Sequence, residues 1–302
     1  MPSRRFFQLD VFSPYAGAGN PLAVVLDAEG LDEVAMQAIA RWTRLPETTF
    51  VFPAGPVSDP EQADLPAGAR YRIRMFSPQH EVPFAGHPSV GTAHAVMEAG
   101  LAAPEGGKLY QEGVAGTLPL RVESAEQDRR IAIRVPPAIV REEAGHDDPR
   151  LAAALAGWSL GRLPIALMEG GRSWWVVETC DEAHLRALRP DWDAIAALAE
   201  STGAMGVFAF ARCDRSEGFD VAARAFVGNG RRFEDAASGA ANAVLAAWLD
   251  HKGVLTGSNR RIDVSQGREV GHDARLTVYL DDEGGIWSGG QVQTVIRGTL
   301  DW

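Results

Sequence analysis

Hydrophobic and polar residues alternate along much of this chain with the period of β-strands, and fewer stretches have the period of a helix. The patterns predict strands at residues 6–11, 22–26, 48–52, 71–75, 118–122, 131–135, 174–178, 207–212, 222–227, 276–280 and 292–296. Helical spacing is found at residues 31–42 and around 149–155, and a region rich in Ala, Asp and Arg before residue 207 is also predicted to be helical.

Two further helices are predicted from a short repeat in the sequence. Residues 86–96 and 234–244 both contain Gly-x-Ala-x-Ala-Val and lead into small and apolar residues. Aligned on that core, His87 falls on Asp235, 148 residues further along, and each stands four residues before a glycine. Two related halves that each direct a polar helix start at a shared cleft predict one active site between two domains.

The composition of these repeats agrees with a binding role but does not require one. Glycine and alanine at a helix start let a ligand approach the backbone closely, and the free N–H groups there favour a carboxylate. The alternative is two ordinary core helices whose Gly and Ala content reflects tight packing.

Composition limits the classes of function. The chain has 302 residues, of which 46% are hydrophobic and 23% charged, so a soluble globular protein of two domains is expected. A formal net charge of −11 argues against nucleic acid or an anionic membrane as partner. There is no signal-peptide core or long apolar run, and the two cysteines, Cys180 and Cys213, suit a reducing compartment. We therefore expect a cytoplasmic protein.

Glu47 is the first candidate for chemistry, because it follows Pro46 and opens the apolar strand at residues 48–52. A carboxylate at the rim of a buried strand can act as a general acid/base. The alternative is a solvent-facing acid at the end of a loop.

Three histidines at intervals of seven residues, His80, His87 and His94, invite a metal-site interpretation. If His87 and His94 are both helical, they lie two turns apart, about 10.5 Å along the axis. One ion with bonds of about 2 Å cannot join them. We therefore expect no metal site, and His87 is a candidate for substrate binding or proton transfer.

Several ordered motifs, taken together, match a known family. They are Leu9-Asp10-Val11-Phe12, Gly19-Asn20-Pro21-Leu22-Ala23-Val24-Val25, Glu47-Thr48-Thr49-Phe50-Val51, Arg74-Met75-Phe76-Ser77-Pro78, Glu81-Val82-Pro83-Phe84-Ala85-Gly86-His87-Pro88, Arg224-Ala225-Phe226, Glu234-Asp235 and Ser238-Gly239. Over nearly its whole length, the chain resembles the phenazine-biosynthesis isomerase (PhzF-like) family, which has the diaminopimelate-epimerase-like fold.

The resemblance implies an α/β (α+β) fold with two pseudo-symmetric domains, each a curled, mainly antiparallel sheet around a central helix. We expect domains at residues 1–137 plus 291–302 and at residues 138–290, with the last strand returning to the first domain. Members of the family are often homodimers and need no metal or organic cofactor.

The resemblance also implies roles for individual residues. The family's acid/base glutamate falls on Glu47, and its substrate-contacting histidine and aspartate fall on His87 and Asp235. The glycines whose amides bind substrate fall on Gly86 and Gly239. Two more residues of the matching motifs, Ser238 and Asn20, are predicted to bind substrate as well.

The chain departs from the family pattern at the second repeat. The usual proline is Ala236, and the usual hydroxyl residue after the glycine is Ala240. Loss of that donor argues against the phenazine precursor as substrate, whereas the glutamate is retained. The cysteine pair used by related epimerases and proline racemases is missing, which places the chain with the thiol-free branch.

These observations predict a cofactor-independent isomerase or epimerase that moves a proton on a small amino- or hydroxy-carboxylate. Two alternatives stay open: a non-catalytic homologue that binds a small acid, and a lyase that uses the same glutamate.

Overall fold

Strands make up most of the regular structure, as the alternating pattern predicts. The computed structural model describes residues 2–56, 64–123, 128–255 and 260–302. The strands are β1 (Ser3–Val11), β2 (Asn20–Val25), β3 (Glu47–Phe52), β4 (Arg70–Phe76), β5 (Glu81–Val82), β6 (Lys108–Gly113), β7 (Gly116–Glu123), β8 (Arg130–Arg134), β9 (Ile139–Ala144), β10 (Ile165–Gly170), β11 (Arg172–Glu178), β12 (Gly206–Arg212), β13 (Val221–Val227), β14 (Phe233–Asp235), β15 (Arg261–Gln266), β16 (Ala274–Leu280), β17 (Ile286–Gly290) and β18 (Val292–Asp301). The helices are α1 (Glu33–Thr43), α2 (Gly86–Glu98), α3 (Glu182–Ala187), α4 (Trp192–Thr202) and α5 (Gly239–His251).

The chain forms two units. The first contains residues 1–134 together with 289–302, and the second contains residues 135–288. In the first unit β18 pairs antiparallel with β1, β1 with β2, β3 with β4, β6 with β7, and β7 with β8. Parallel pairs join β2 to β3 and β4 to β6, and the short β5 lies antiparallel to β4.

The central helix of the first unit is α2, which contacts strands from several parts of this sheet. Nearly all of its residues are buried, because it is surrounded by the sheet and has no polar face. Close packing is visible at Gly91, where an added Cβ would lie 2.5 Å from Leu22 Cδ2 and 2.7 Å from Val11 Cγ2. Inside this contact Thr92 and Thr49 share a hydrogen bond of 2.8 Å between their hydroxyls, which fixes β3 against the helix.

The second unit repeats the same order of pairings. Strand β9 lies antiparallel to β10, β10 to β11, β12 to β13, and β15 to β16, while β11 and β12 are parallel. The short β14 lies antiparallel to β13, and β15 is parallel to β13. Its central helix is α5, which contacts β9, β10, β11, β15 and β16. The mixed α+β class with two pseudo-symmetric, sheet-dominated halves is therefore confirmed.

An ion pair is repeated in both units. Arg74 of β4 binds Glu81 of β5 through two hydrogen bonds of 2.6 Å, and its guanidinium lies 5.1 Å from the ring centre of Phe76. Arg224 of β13 binds Glu234 of β14 through bonds of 2.9 and 2.7 Å. The repeated Arg-x-Phe pattern thus marks equivalent strands, and each arginine fixes the short strand that leads to the central helix.

The sequence-based elements need three corrections. Residues 149–155 form consecutive turns and not a helix, although Leu151 and Leu155 are buried as the spacing predicts. The helix predicted at residues 31–42 is α1 at Glu33–Thr43, whose buried face is formed by Met36, Ile39 and Ala40, whereas the apolar Val34 is 77% exposed. Seven strands were not predicted from the sequence pattern, namely β5, β6, β9, β10, β14, β15 and β17.

Candidate active site

Glu47 is the first residue of β3, where the chain enters the sheet after α1. The preceding helix ends at Arg44, which has a left-handed backbone, and the hydroxyls of Thr43 and Thr48 lie 2.9 Å apart across the turn. In the sheet Glu47 lies beside Leu22 of β2. Its side chain keeps 20% of its surface exposed. The carboxylate is therefore held at the rim of a rigid strand and can still be reached from outside.

His87 lies against this carboxylate. It is the second residue of α2, its side chain is only 8% exposed, and its Nε2 is 3.5 Å from Glu47 Oε2. The imidazole also makes a hydrogen bond to the backbone of Pro21, which has no N–H and can only accept. The structure thus brings together two of the predicted site residues, one from β3 and one from α2.

The state of the His87 ring follows from these contacts. Burial lowers its pKa to about 3, although the hydrogen bond to Pro21 acts in the opposite direction. The ring is neutral at pH 7, and its one proton is directed at the Pro21 carbonyl. Nε2 consequently presents a lone pair towards Glu47, so this nitrogen can accept a proton or a hydrogen bond but cannot donate one.

The start of α2 adds donors beside this pair. Its N-cap is Ala85, and no side chain among the described residues caps the helix. The backbone amides of the first turn, including that of Gly86, are therefore suited to an anionic ligand. Ser89 donates from its hydroxyl to the carbonyl of Ala85 at 2.9 Å and accepts from Gln111 at 3.0 Å, which fixes this turn.

Asn20 lies next to Pro21 at the start of β2 and is buried. Its position is set by the glycine-rich loop before it. An added Cβ on Gly19 would lie 2.4 Å from the carbonyl oxygen of Val11, so only glycine fits there. The carboxylate of Asp10 accepts from the backbone N–H of Gly17 and closes the same loop.

In the second unit the predicted residues lie in one short segment. Asp235 ends β14, Ser238 is the N-cap of α5, and Gly239 is the first residue of that helix. The Ser238 hydroxyl accepts from the Ala241 N–H at 3.3 Å. The Asp235 carboxylate accepts from the Ala237 N–H at 3.3 Å. Burial raises the pKa of this carboxyl, and hydrogen bonds from Ala237 and Ser238 oppose the rise.

The predicted correspondence of His87 with Asp235 is wrong. The two central helices begin at Gly86 and Gly239 and have 13 residues each, so the second residues correspond, and these are His87 and Ala240. The sequence repeat aligned Gly91 with Gly239, because both precede small residues. Gly91 in fact lies inside its helix and packs on the sheet.

Asp235 has its own counterpart, identified by the strand register. Met75 lies within the first Arg-x-Phe and pairs with Val82, whereas Ala225 lies within the second and pairs with Asp235. Asp235 therefore corresponds to Val82. His87 thus has an alanine as its counterpart in the second unit, and Asp235 has a valine as its counterpart in the first. The two units carry different polar groups at the start of their central helices.

Gln266 and Asn242 were not identified from the sequence. Gln266 ends β15, is fully buried, and binds both the segment after Asp235 and the Asn242 side chain. A single amide at the end of a strand has no pattern that would distinguish it in a sequence.

The remaining histidines have other surroundings. His80 is exposed in the turn after β4, and its carbonyl accepts from Ser77. His94 is buried in α2, where its Nε2 lies 3.0 Å from Thr294 Oγ1 and 3.2 Å from Glu98 Oε1. Within residues 2–56, 64–123, 128–255 and 260–302, no group of three or more His, Cys, Asp and Glu side chains could hold a metal ion.

Comparison with known proteins identifies the family. The family model described as phenazine biosynthesis-like protein (PhzC-PhzF) matches residues 9–298. The chain belongs to this family. It is 30% identical over 293 residues to trans-2,3-dihydro-3-hydroxyanthranilate isomerase of Pseudomonas aeruginosa, with 93% of this chain and 91% of the relative covered. It is also 29% identical over 306 residues to antisense-enhancing sequence 1 of Schizosaccharomyces pombe, with 99% of each chain covered.

A solved structure of the PhzF family extends the likeness to three dimensions. The crystal structure of the phenazine biosynthesis protein from Bacillus anthracis has a TM-score of 0.82 at 26% identity and covers 100% of both chains. Further relatives are also named isomerases. The resemblance to the PhzF family and the enzyme class of isomerase are thus confirmed.

Among the described residues, no helix is long and apolar enough to span a membrane.

Proposed function

We propose that this member of the PhzF family moves a proton between two atoms of a small amino- or hydroxy-carboxylate, with Glu47 as the acid/base. The observation that carries the proposal is the pair formed by Glu47 Oε2 and His87 Nε2, 3.5 Å apart beside the start of α2. A partly exposed carboxylate, a neutral imidazole and the amides at the start of the helix together supply what an isomerisation without a cofactor requires.

Glu47 acts first as a base. Its carboxylate takes a proton from a carbon of the substrate, and the electron pair of that C–H bond moves into the substrate. The resulting carboxylic acid then gives the proton back to another atom of the same molecule. Glu47 ends in its starting state, and no electron leaves the substrate.

His87 is suited to a supporting role in these two proton transfers. Its Nε2 lone pair accepts a hydrogen bond from the protonated Glu47 during the reaction, or from an ammonium or hydroxyl group of the substrate. Because the ring is neutral, it offers the substrate a hydrogen-bond acceptor and no positive charge. This favours a substrate that carries an amino or hydroxyl group in addition to its carboxylate.

The amides of Gly86 and Gly239 are proposed to bind the carboxylate of the substrate, with Asp235, Ser238 and Asn20 as further polar contacts. Each glycine is the first residue of a helix whose dipole favours an anion at that end. The substrate named for the Pseudomonas aeruginosa relative contains a carboxylate, an amino group and a hydroxyl, and belongs to the same chemical class.

The proposal is tested by following proton exchange. The purified protein is incubated in D₂O with trans-2,3-dihydro-3-hydroxyanthranilate and with a panel of small amino and hydroxy acids, and deuterium in the substrate is detected by NMR. We expect deuterium exchange with at least one compound. In Glu47→Gln the exchange rate should fall by at least about 10³-fold, because an amide cannot accept and return the proton. Ligand affinity and the fold should persist, since the change is nearly isosteric.

Glu29→Gln is the matched control, because Glu29 is an exposed acid of the same unit. Exchange that survives in Glu47→Gln would remove this residue from the mechanism. A ligand that binds the wild-type protein tightly and never exchanges would favour the non-catalytic binding protein. Release of a fragment from the substrate would indicate a lyase.

A further inference from the structure

The amide of Gln266 is bonded to both ends of the segment that carries Asp235. Its Oε1 accepts from the Ser238 N–H at 3.3 Å, and its Nε2 donates to the Asp235 carbonyl at 2.8 Å. The orientation of the amide is fixed by these partners, because a backbone N–H can only donate and a carbonyl can only accept. One side chain thus spans the turn from the end of β14 to the N-cap of α5.

A second amide closes the arrangement from the helix. Asn242 is fully buried, and its Nδ2 donates to Gln266 Oε1 at 2.7 Å and to the Ser238 carbonyl at 2.8 Å. Ser238 is therefore held through both its N–H and its carbonyl. Since Asn242 belongs to α5 and Gln266 to β15, the helix and the sheet determine together where this turn lies.

The backbone after Gln266 supports the same segment. Gly267 has a φ of 95°, and an added Cβ would lie 2.4 Å from the carbonyl oxygen of Ala236. The chain therefore passes directly behind the residues between Asp235 and Ser238, with no room for a side chain. The segment is confined from behind by backbone and from both ends by Gln266.

Among the described residues of the first unit, no glutamine makes the equivalent contacts. Its buried glutamine, Gln111 of β6, donates to the hydroxyl of Ser89 in α2 and reaches no backbone of the segment before that helix. By register with β4 and β13, Gln266 lies two residues further along its strand than Gln111, so both face the same side of the sheet. Among the described residues, a strand glutamine therefore bonds to the backbone before the central helix in the unit that carries Asp235.

We infer that Gln266 is a positioning residue, which fixes the Asp235 carboxylate and the first amides of α5 in the arrangement that receives the substrate. This role rests on the proposed function of Asp235 and Gly239. It acts through the turn and not by contact with the reacting atoms.

The test replaces Gln266 by Met, which has a similar volume and makes none of the three hydrogen bonds. Two quantities are measured without any substrate: the pKa of the Asp235 carboxyl by side-chain ¹³C NMR, and hydrogen exchange of the Ser238 amide. We expect at least about 10-fold faster exchange, because the amide loses its acceptor. We also expect the pKa of Asp235 to change, because its burial and its hydrogen bonds from Ala237 and Ser238 both depend on how the turn is held.

Ser265→Ala is the matched control. Ser265 is the neighbouring buried residue of β15, and its hydroxyl accepts from Arg186 at 3.0 Å, away from the turn. The Ser265→Ala substitution should destabilise the protein and leave the pKa of Asp235 and the exchange of the Ser238 amide unchanged. Gln266→Glu retains an acceptor for Ser238 and places a negative charge near Asp235, so the amide should stay protected and the pKa of Asp235 should rise. This variant decides the matter if Gln266→Met does not fold.

Unchanged exchange at Ser238 and an unchanged pKa of Asp235 in a folded Gln266→Met protein would overturn the inference and leave Gln266 a structural residue. Where the wild-type protein turns over a compound, the same variant should raise its KM at least about 10-fold, because the binding groups are misplaced. If no compound is turned over while both NMR readings change as expected, the proposed function fails and the positioning by Gln266 stands.

Discussion

Burial of the His87 ring makes the stability of the protein depend on pH. Its pKa falls from the ordinary 6.5 to about 3 in the folded state. Above pH 6.5 the ring is neutral in both states, and stability is not affected. As the pH falls from 6.5 towards 3, the unfolded chain binds a proton that the folded protein does not, so the free energy of unfolding decreases by about 1.4 kcal/mol per pH unit.

The measurement is urea unfolding of the wild type and of His87→Gln at several pH values between about 7 and 5, where this linkage operates. As the pH falls, the free energy of unfolding of the variant should decrease less steeply than that of the wild type. The difference between the two slopes should approach about 1.4 kcal/mol per pH unit. His80→Gln, which changes an exposed histidine of the same unit, should keep the slope of the wild type. Equal slopes for His87→Gln and the wild type would show that the ring is not buried in its neutral form.

At the scale of residues the sequence was informative only where a motif carried the residue. Glu47 and His87 come from such motifs, and the structure brings them together in the first unit. Gln266 could not be predicted, because its importance lies in partners that are distant along the chain. The match of His87 with Asp235 failed because glycine and alanine are common wherever a helix packs closely, so a short repeat of them does not fix a register.

At the scale of elements, the contact of α2 with β1 and β2 sets a sharp demand on side-chain size. Gly91→Ala would place a Cβ 2.5 Å from Leu22 and 2.7 Å from Val11, closer than real Cβ atoms approach. The methyl groups of Leu22 and Val11, or the helix itself, would have to move within a closely packed core. We expect destabilisation of about 1–3 kcal/mol, measured by denaturant unfolding.

Gly68→Ala is the control for this prediction, because no heavy atom lies within 4 Å of its added Cβ. It should be neutral or slightly stabilising, since alanine restricts the unfolded chain more than glycine does. A Gly91→Ala protein as stable as Gly68→Ala would mean that the helix does not pack on these strands as closely as described.

Elements with a clear period were predicted and those without one were missed. In β4, Tyr71, Ile73 and Met75 are buried as their alternation with arginines predicts. Strand β10 is buried along nearly its whole length, so it has no alternation that would mark it as a strand. In β9 half of the residues are charged and Ala144 alone is buried, so the strand is identified by its pairing with β10 and not by an apolar alternation.

At the scale of the whole molecule, the proposed function predicts that residues from both units affect the binding of one ligand. His87→Ala and Asp235→Ala should each weaken binding of a compound that the wild type accepts. If the same molecule contacts both residues, their effects should couple by about 0.5–3 kcal/mol in a double-mutant cycle measured by calorimetry. Additive effects would mean that the two residues do not bind the same ligand.

The division into two related halves was visible in the sequence. The unit to which β9 and β18 each belong was not. The segment that follows β8 supplies β9 to the second unit, and the segment that follows β17 supplies β18 to the first. Local patterns predict that a strand forms, but its partner is determined by packing far along the chain. Only the family resemblance implied the return of the last strand.

The pairing of β1 with β18 has a consequence for biosynthesis. Ser3 lies opposite Asp301, so β1 leaves the ribosome long before its neighbour has been translated. Until then the first unit has β2 on one side of β1 and an open edge on the other, and such an edge is a site for wrong pairing with other chains. Pairings this distant in sequence also form slowly. The first unit can therefore be completed only after translation has passed residue 301, and chaperones that cover open strand edges would matter most during that interval.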